Sequence, residues 1–499
     1  LFGAAKGHTQ IAITTGSTRP AGRDVKRLTQ TSIAICGTVL LAACTIVGDA
    51  IETPDAGLTE QAAFSSGVPQ AGQPMVTSGW WRSLGSTDLN GLIDTITASN
   101  PDLAAASLRV LQSELELGST RSQSRPNVTV GLSRTTTSAA DFAGDRDTST
   151  SVDLNAQVRW EADLWGRIAS EGDTSAARLL ATGYDRDALA NSLIASLVRS
   201  YISLSFDRRQ ISATQRIIVN RETSLSIAKD RFALGVEGTT AGTVKSAEEN
   251  LAAARADLPD LELAILRNTN ALDALVGRVP TSRSDVTARL PAQLPNLASS
   301  TGHPVDLLQR RPDIRASEAR LVSANANINV SLADRFPALT LNGSLRSGGD
   351  LEEILDINNV IASLTADILL TVFDAGRGSR LVSLRRAEAE ELAQSYVATV
   401  LAAVAEVEDA LAGERLLAER SRLLSTRLAA AREATEIARE KYRDGTGTYL
   451  TLLDASRSEA SAESAFLNVE RSRWLNRVDL MLALGGTWAP VTNAAEEDT

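Results

Sequence analysis

The chain reads as a mixed α and β protein made of one duplicated unit, each copy holding two strands and a long helical hairpin. Three observations carry this reading. First, landmarks recur: Asn100-Pro101-Asp102-Leu103, Arg125-Pro126 and Gly166-Arg167 return as Arg311-Pro312-Asp313-Ile314, Phe336-Pro337 and Gly376-Arg377. The offset is 211 residues at the prolines and 210 at the Gly-Arg pairs. Second, segments of alternating apolar and polar residues lie between each proline landmark and each Gly-Arg. Third, each Gly-Arg opens a helical tract without proline, 168–234 and 378–444. Landmarks that keep register over about 180 residues mark a duplication, although two copies are too few for a solenoid.

Composition excludes several function classes. The 499 residues are 43% hydrophobic but only 4% aromatic, which suits long helices better than a compact enzyme core. Net charge is −11; residues 1–43 hold five Lys/Arg and one Asp, so the remaining 456 carry −15. That balance argues against nucleic acid. It fits a periplasmic surface or a cation passage, and is also ordinary for a soluble protein. Two histidines, His8 and His303, are too few for a multi-histidine metal site or a serine–histidine–aspartate arrangement. No phosphate loop, metal-ligand spacing or nucleophile–base pair is found, so neither catalysis nor a cofactor is expected.

Residues 1–22 have no periodicity, and the start is expected near Val25, with a disordered extension as the alternative. Arg23, Lys26 and Arg27 form a basic region before the short apolar run Ile33–Ala43, too short to span a membrane. It ends Leu41-Ala42-Ala43-Cys44, which resembles the bacterial lipobox, in which the cysteine after small residues receives diacylglycerol. On this reading Cys36 is removed and Cys44 is capped, so neither serves a disulfide. A Gly/Pro/Ser/Thr-rich linker, 45–79, leads to Trp80-Trp81, expected to pack against the body. Asp88 is the expected N-cap of a first helix that breaks at Asn100-Pro101, and a second helix runs to about Gly118.

Val152, Leu154, Ala156, Val158 and Trp160 alternate with Asp153, Asn155, Gln157, Arg159 and Glu161. This predicts a strand, paired with Val128, Val130 and Leu132 across a polar loop, 138–149. The second copy supplies Leu339, Leu341 and Leu345, then Leu364, Ala366, Ile368, Leu370 and Val372 opposed by Thr365, Asp367 and Thr371. Each strand is roughly 10 residues, the length a tilted membrane strand needs; a soluble sandwich with one wet face is the alternative. The long helices reach roughly 100 Å at 1.5 Å per residue. Their stripes are narrow, as in laterally packed coiled coils: Leu189, Leu193, Ile194, Leu197, Val198, Tyr201, Ile202, and Val397, Val400, Leu401, Val404, Val407, Leu411. Each ends at a glycine, Gly235 or Gly445, and doubles back as a helix at about 244–277 or 449–484. There Leu275-Val276-Gly277 matches Leu484-Gly485-Gly486 at an offset of 209.

Four strands cannot close a barrel, and in lipid each unpaired N–H or C=O at an open edge costs several kcal/mol. If the strands cross a membrane, copies must associate; eight strands fill their own interior, whereas twelve leave a channel. A lumen lined by Asp153, Asn155, Gln157, Arg159, Asp367 and Thr371 would be wet.

The motifs resemble the outer-membrane efflux protein family, the TolC-like outer-membrane factors, in the lipoprotein branch serving RND drug pumps. The residues that carry the resemblance run from about 44 to 488: Trp80-Trp81, Leu89-Asn90, Asn100 to Leu103, Glu161 to Arg167, Gly235-Val236, Asp306 to Glu318, Phe336-Pro337, Phe373 to Arg377, Gly445, Leu453-Asp454-Ala455 and Asn476 to Trp488. The resemblance implies a homotrimer with a 12-stranded barrel in the outer membrane and an α-barrel crossing the periplasm. It also implies a periplasmic adaptor (membrane fusion) protein and a proton-driven inner-membrane RND pump as partners. The division expected is 1–43 extension and signal peptide, 44–87 anchored linker, 88–280 and 304–487 the repeats, and 488–499 a tail.

Carried over by resemblance, Gly235, Val236, Gly445, Thr446 and Gly447 are adaptor-contacting tips, Asp454 an acidic constriction residue and Tyr442 part of the gate network. The first tip looks two residues long and offers Ala241 or Thr243 where the family often has aspartate. Gly447 stands where some members have arginine. A looser constriction, or different closing contacts, is therefore expected. Two other readings stay open: a duct for protein secretion and a lipid-anchored coiled-coil scaffold without a pore.

Overall fold

The computed structural model describes residues 48–55, 64, 79–140, 146–281, 286–295, 303–349, 356–486 and 488. The lipobox and Cys44 lie outside them. A 3-10 turn, Trp80–Leu84, precedes α1 (Thr87–Ser99), α2 (Pro101–Ser122), β1 (Asn127–Ala140), β2 (Arg146–Ala162), α3 (Arg167–Ala233) and α4 (Ala241–Leu275). The second repeat has a short turn, Leu307–Arg310, then α5 (Pro312–Ala333), β3 (Ala338–Gly349), β4 (Ile361–Leu369), α6 (Arg377–Arg443) and α7 (Tyr449–Ala483). α3 and α6 each have 67 residues, and α4 and α7 each 35.

The helix ends follow from local chemistry. Proline opens α2 and α5, where its missing N–H costs nothing. Ser86, not Asp88, caps α1, because the Ser86 hydroxyl accepts the Leu89 N–H. Glycine in the left-handed region follows each long helix: Gly235 (φ 67°), Gly277 (75°), Gly445 (82°) and Gly485 (81°). At each the next N–H bonds back to the carbonyl five residues earlier, for example Val236 to Arg231 and Thr446 to Lys441, both at 2.9 Å. Gly277 and Gly485 therefore correspond, so the repeat offset has fallen to 208 there rather than the 209 read from the sequence. The cause is the first tip, which spans seven residues (234–240) against five (444–448) in the second.

Both corresponding glycines sit against the residue before the Pro landmark. A Cβ at Gly277 would lie 2.5 Å from the Ser99 carbonyl oxygen, and one at Gly485 2.9 Å from Arg310 Cβ. Beside each glycine a polar side chain from the landmark ties down a carbonyl at the end of the returning helix. Asn100 donates to Leu275 at 2.8 Å, and Arg311 donates to Ala483 at 3.1 Å.

The largest core gathers Trp80, Trp81, α1, the middle of α3 and the end of α7 around the fully buried Trp474 and Tyr201. Here the narrow-stripe expectation fails: residues 201–207 of α3 are all buried. Tyr201 bonds Ser86 at 2.7 Å, and Arg209 reaches the Leu290 carbonyl, so chain from outside the hairpin wraps the helix. Leu401 also departs from its stripe, being 54% exposed.

Candidate channel wall and hairpin tips

The four strands form one antiparallel sheet in the order β1-β2-β3-β4, with no second sheet packed on it among the described residues. β1 and β2 extend into the expected loop, to Ala140 and from Arg146, giving 14 and 17 residues. β-branched threonines sustain them, and Thr136 and Thr150 share a hydrogen bond across the pair. β4 stops at Leu369, so Leu370, Thr371 and Val372 are not in the strand, and Thr371 is not a wall residue of it.

Register puts like with like, since directly opposed residues share a face. On one face Val130, Ala156, Leu345 and Ala362 form a row, and Val128, Val158, Gly343 and Leu364 the next. Most of these side chains are exposed, Leu364 at 82%. On the other face the rows run Gly131, Asn155, Arg346, Ile361; Thr129, Gln157, Ser344, Ser363; Asn127, Arg159, Asn342, Thr365; and Glu161, Thr340, Asp367, with Ile361 an apolar exception at the start of β4. The five expected lumen residues Asp153, Asn155, Gln157, Arg159 and Asp367 thus share one surface. Asp153 accepts from Arg346 at 2.9 Å and Asp367 from Asn342 at 2.8 Å. Arg346 and Asn342 were missed in the sequence, although they alternate with Leu341 and Leu345. Among the described residues no strand pairs with the outer edge of β1 or of β4.

At the base of the sheet Trp165 donates to the Pro337 carbonyl at 2.8 Å and lies 5.0 Å from the Phe336 ring. This contact joins the two repeats where both hairpins meet the helices. Arg167, first residue of α3, grips Glu161 at the end of β2 with two hydrogen bonds of 3.0 Å. Asp374 accepts the Gly376 and Gly378 N–H groups at 2.8 and 2.6 Å, fixing the entry to α6.

At the opposite end of the hairpins lie the tips. Gly235 and Gly445 supply the left-handed turns, and Val236 and Thr446 close them. A Cβ on Gly447 would come within 2.9 Å of Lys441 Cβ and 3.2 Å of backbone, so the turn leaves no room for a side chain there. Thr240 and Thr243 cap α4 reciprocally, which gives the position expected to hold aspartate a structural task. Asp454 is exposed on the first turns of α7.

Tyr442 is only 2% exposed, packed edge-on against Tyr449 at 5.8 Å. The Arg231 guanidinium lies 4.8 Å from the Tyr442 ring and donates to its carbonyl oxygen. Burial raises the Tyr442 hydroxyl pKa, and that hydroxyl has no partner among the described residues. Tyr442 therefore meets Arg231, a residue the sequence reading passed over. The signal for Arg231 was the repeated cation–aromatic pair, Arg231-Phe232 and Lys441-Tyr442, three residues before each tip glycine.

The profile of the outer membrane efflux protein family matches residues 92–278 and 303–486. The chain is 31% identical over 448 residues to the pyoverdine export outer membrane protein OpmQ of Pseudomonas putida, covering 87% of this chain and 93% of that protein. Among solved structures it resembles the outer-membrane channel OprN, with a TM-score of 0.80, 30% identity and 89% and 100% of the two chains covered. It also resembles the open state of the Neisseria gonorrhoeae MtrE outer membrane channel, with a TM-score of 0.79, 26% identity and 90% and 99% coverage. An unclosed wall with one apolar and one polar face, carried on paired 67-residue helices, fits these likenesses: the chain belongs to the outer membrane efflux protein family and is the outer-membrane duct of an efflux system.

Proposed function

We propose that three copies close the wall into a 12-stranded barrel and that the duct is passive. It would carry small molecules delivered by a proton-driven RND pump through a periplasmic adaptor. The observation that carries this reading is the open sheet: two bare edges and one exposed apolar face together require neighbours and lipid. The apolar face turned outward leaves Asn155, Gln157, Arg159 and Asp367 to line water. The export and drug-resistance duties of such a duct need no chemistry of its own, so no catalysis is assigned.

The lipobox supports a diacylglycerol anchor on Cys44, which would hold each copy to the outer membrane's inner surface. Gly235, Val236, Gly445, Thr446 and Gly447 sit at the ends farthest from the sheet and are the surfaces offered to the adaptor. Asp454, exposed near one tip, becomes a ring of three carboxylates by symmetry and favours cations. Reconstitution into planar bilayers tests the reading. Heat-modifiable trimers with stepwise conductance are expected, and Asp454→Ala should lower cation selectivity. A monomer that gives no conductance would overturn the duct; unchanged selectivity would remove Asp454 from the constriction.

A further inference from the structure

The tips carry an internal copy of a contact that is made only once within the chain. Arg231, at the end of α3, donates to the carbonyl of Tyr442 and lies over its ring. That carbonyl also takes the Gly445 N–H at 3.3 Å in the turn that ends α6. The repeat relates Arg231 to Lys441 and Tyr442 to Phe232 at the same offset of 210. The Phe232 carbonyl takes the Gly235 N–H at 3.1 Å, so its backbone environment matches that of Tyr442. What differs is cover. Tyr442 is 2% exposed, whereas Phe232 is 49% exposed and Lys441 is exposed as well. Ala241 stands where Tyr449 packs against Tyr442, so Phe232 also lacks a ring from its own hairpin.

The same asymmetry runs along the hairpins. α3 meets α7 through Arg216–Glu463 and Asp207–Arg471, and Trp474 is fully buried. The counterparts of Arg471 and Trp474 on α4, at the local offset of 208, are Leu263 and Leu266, 42% and 39% exposed. The α4 face is thus uncovered where the α7 face is covered, and Phe232 at the tip of the same hairpin is uncovered as well.

We propose that a second copy of this chain fills both gaps, with its Lys441 donating to the Phe232 carbonyl and its α6 lying along Leu263 and Leu266. This rests on the trimeric reading above and assigns the residues that join neighbouring tips. Each tip is then held by one cation from its own chain or from its neighbour, Arg231 on Tyr442 and Lys441 on Phe232. A cation at a helix C-terminal carbonyl complements the helix dipole, and an ammonium over a ring adds attraction.

Cysteine cross-linking of the full-length protein in outer-membrane vesicles tests this, using a short bismaleimide. Phe232→Cys/Lys441→Cys should give dimer and trimer bands on a fully denaturing gel. Arg231→Cys/Tyr442→Cys should stay at the monomer mass, its cross-link being within one chain. Monomer alone from the Phe232/Lys441 pair, in protein that a long-arm amine cross-linker still captures as a trimer, overturns the contact and leaves the trimer standing. Monomer with both reagents overturns the trimer itself. Lys441→Arg should retain the single-channel conductance, and Lys441→Ala should raise it severalfold; no change with Ala would reject Lys441 as a closing contact.

Discussion

Arg477 on α7 is the side chain whose loss the structure prices most clearly. It is buried and makes a two-pronged pair with Glu414 of α6, Nε and Nη2 each donating to a carboxylate oxygen at 2.9 Å. Its remaining nitrogen donates to the Pro295 carbonyl at 2.8 Å. Arg477→Met keeps the length of the side chain but leaves Glu414, among the described residues, only an Asn476 contact at 3.4 Å. Removing one partner of a buried pair costs about 3–5 kcal/mol, mainly because the other charge stays behind without compensation. Replacing both, as Glu414→Leu with Arg477→Met, removes that charge and should return stability to within about 1 kcal/mol of the parent, less what the orphaned Pro295 carbonyl costs. Urea denaturation of the detergent-solubilised protein, followed by tryptophan fluorescence, measures this, since Trp474 lies buried one turn away. At a slope of about 3 kcal/mol per molar, the single variant's midpoint should fall by roughly 1 M or more, and the double variant should recover most of it. A double variant as unstable as the single one would show that the loss came from packing, and the charge argument would fail.

Two further outcomes follow from local geometry. Gly447→Ala forces a Cβ against the last turn of α6 and should destabilise the second tip by about 1–3 kcal/mol. Limited proteolysis should then cut between 444 and 448 faster than in the parent, with the sheet-end trimer unaffected; equal rates would show that the turn yields freely. Asp374 is the second case: the Gly378 N–H, followed by that of Gly376, holds its carboxylate below the usual range. A lowered folded pKa lends stability that is full above the ordinary aspartate value of about 3.9 and is lost as pH falls below that value and through the lowered folded one. Asp374→Asn should therefore flatten the acid limb of the stability profile between about pH 5 and 2, and an unchanged limb would refute the capping role.

Much of the architecture is legible along the chain because it is periodic and punctuated. Two 67-residue helices end within a residue of where the tip glycines place them, since a left-handed turn needs Gly235 and Gly445 whatever packs nearby. The strand faces are legible for the same reason: side chains alternate strictly, so Asp153, Asn155, Gln157 and Arg159 must share a surface. Even the need for neighbours is a matter of counting edges.

What periodicity does not carry is which faces are covered, and by what. Leu401 and Val400 look alike in the stripe, yet one is exposed and the other buried, because burial depends on a partner helix far away in the chain. The same holds for residues 201–207, enclosed on every side by Trp80-Trp81, loop 286–295 and α7. Trp165 against Phe336, Arg346 on Asp153 and Arg231 on Tyr442 all join residues some 170 to 210 positions apart. Local sequence sets the helices, strands and turns through hydrogen bonds that reach only a few residues. The contacts that seat one repeat on the other arise only once both have folded, and so only the tertiary structure decides them.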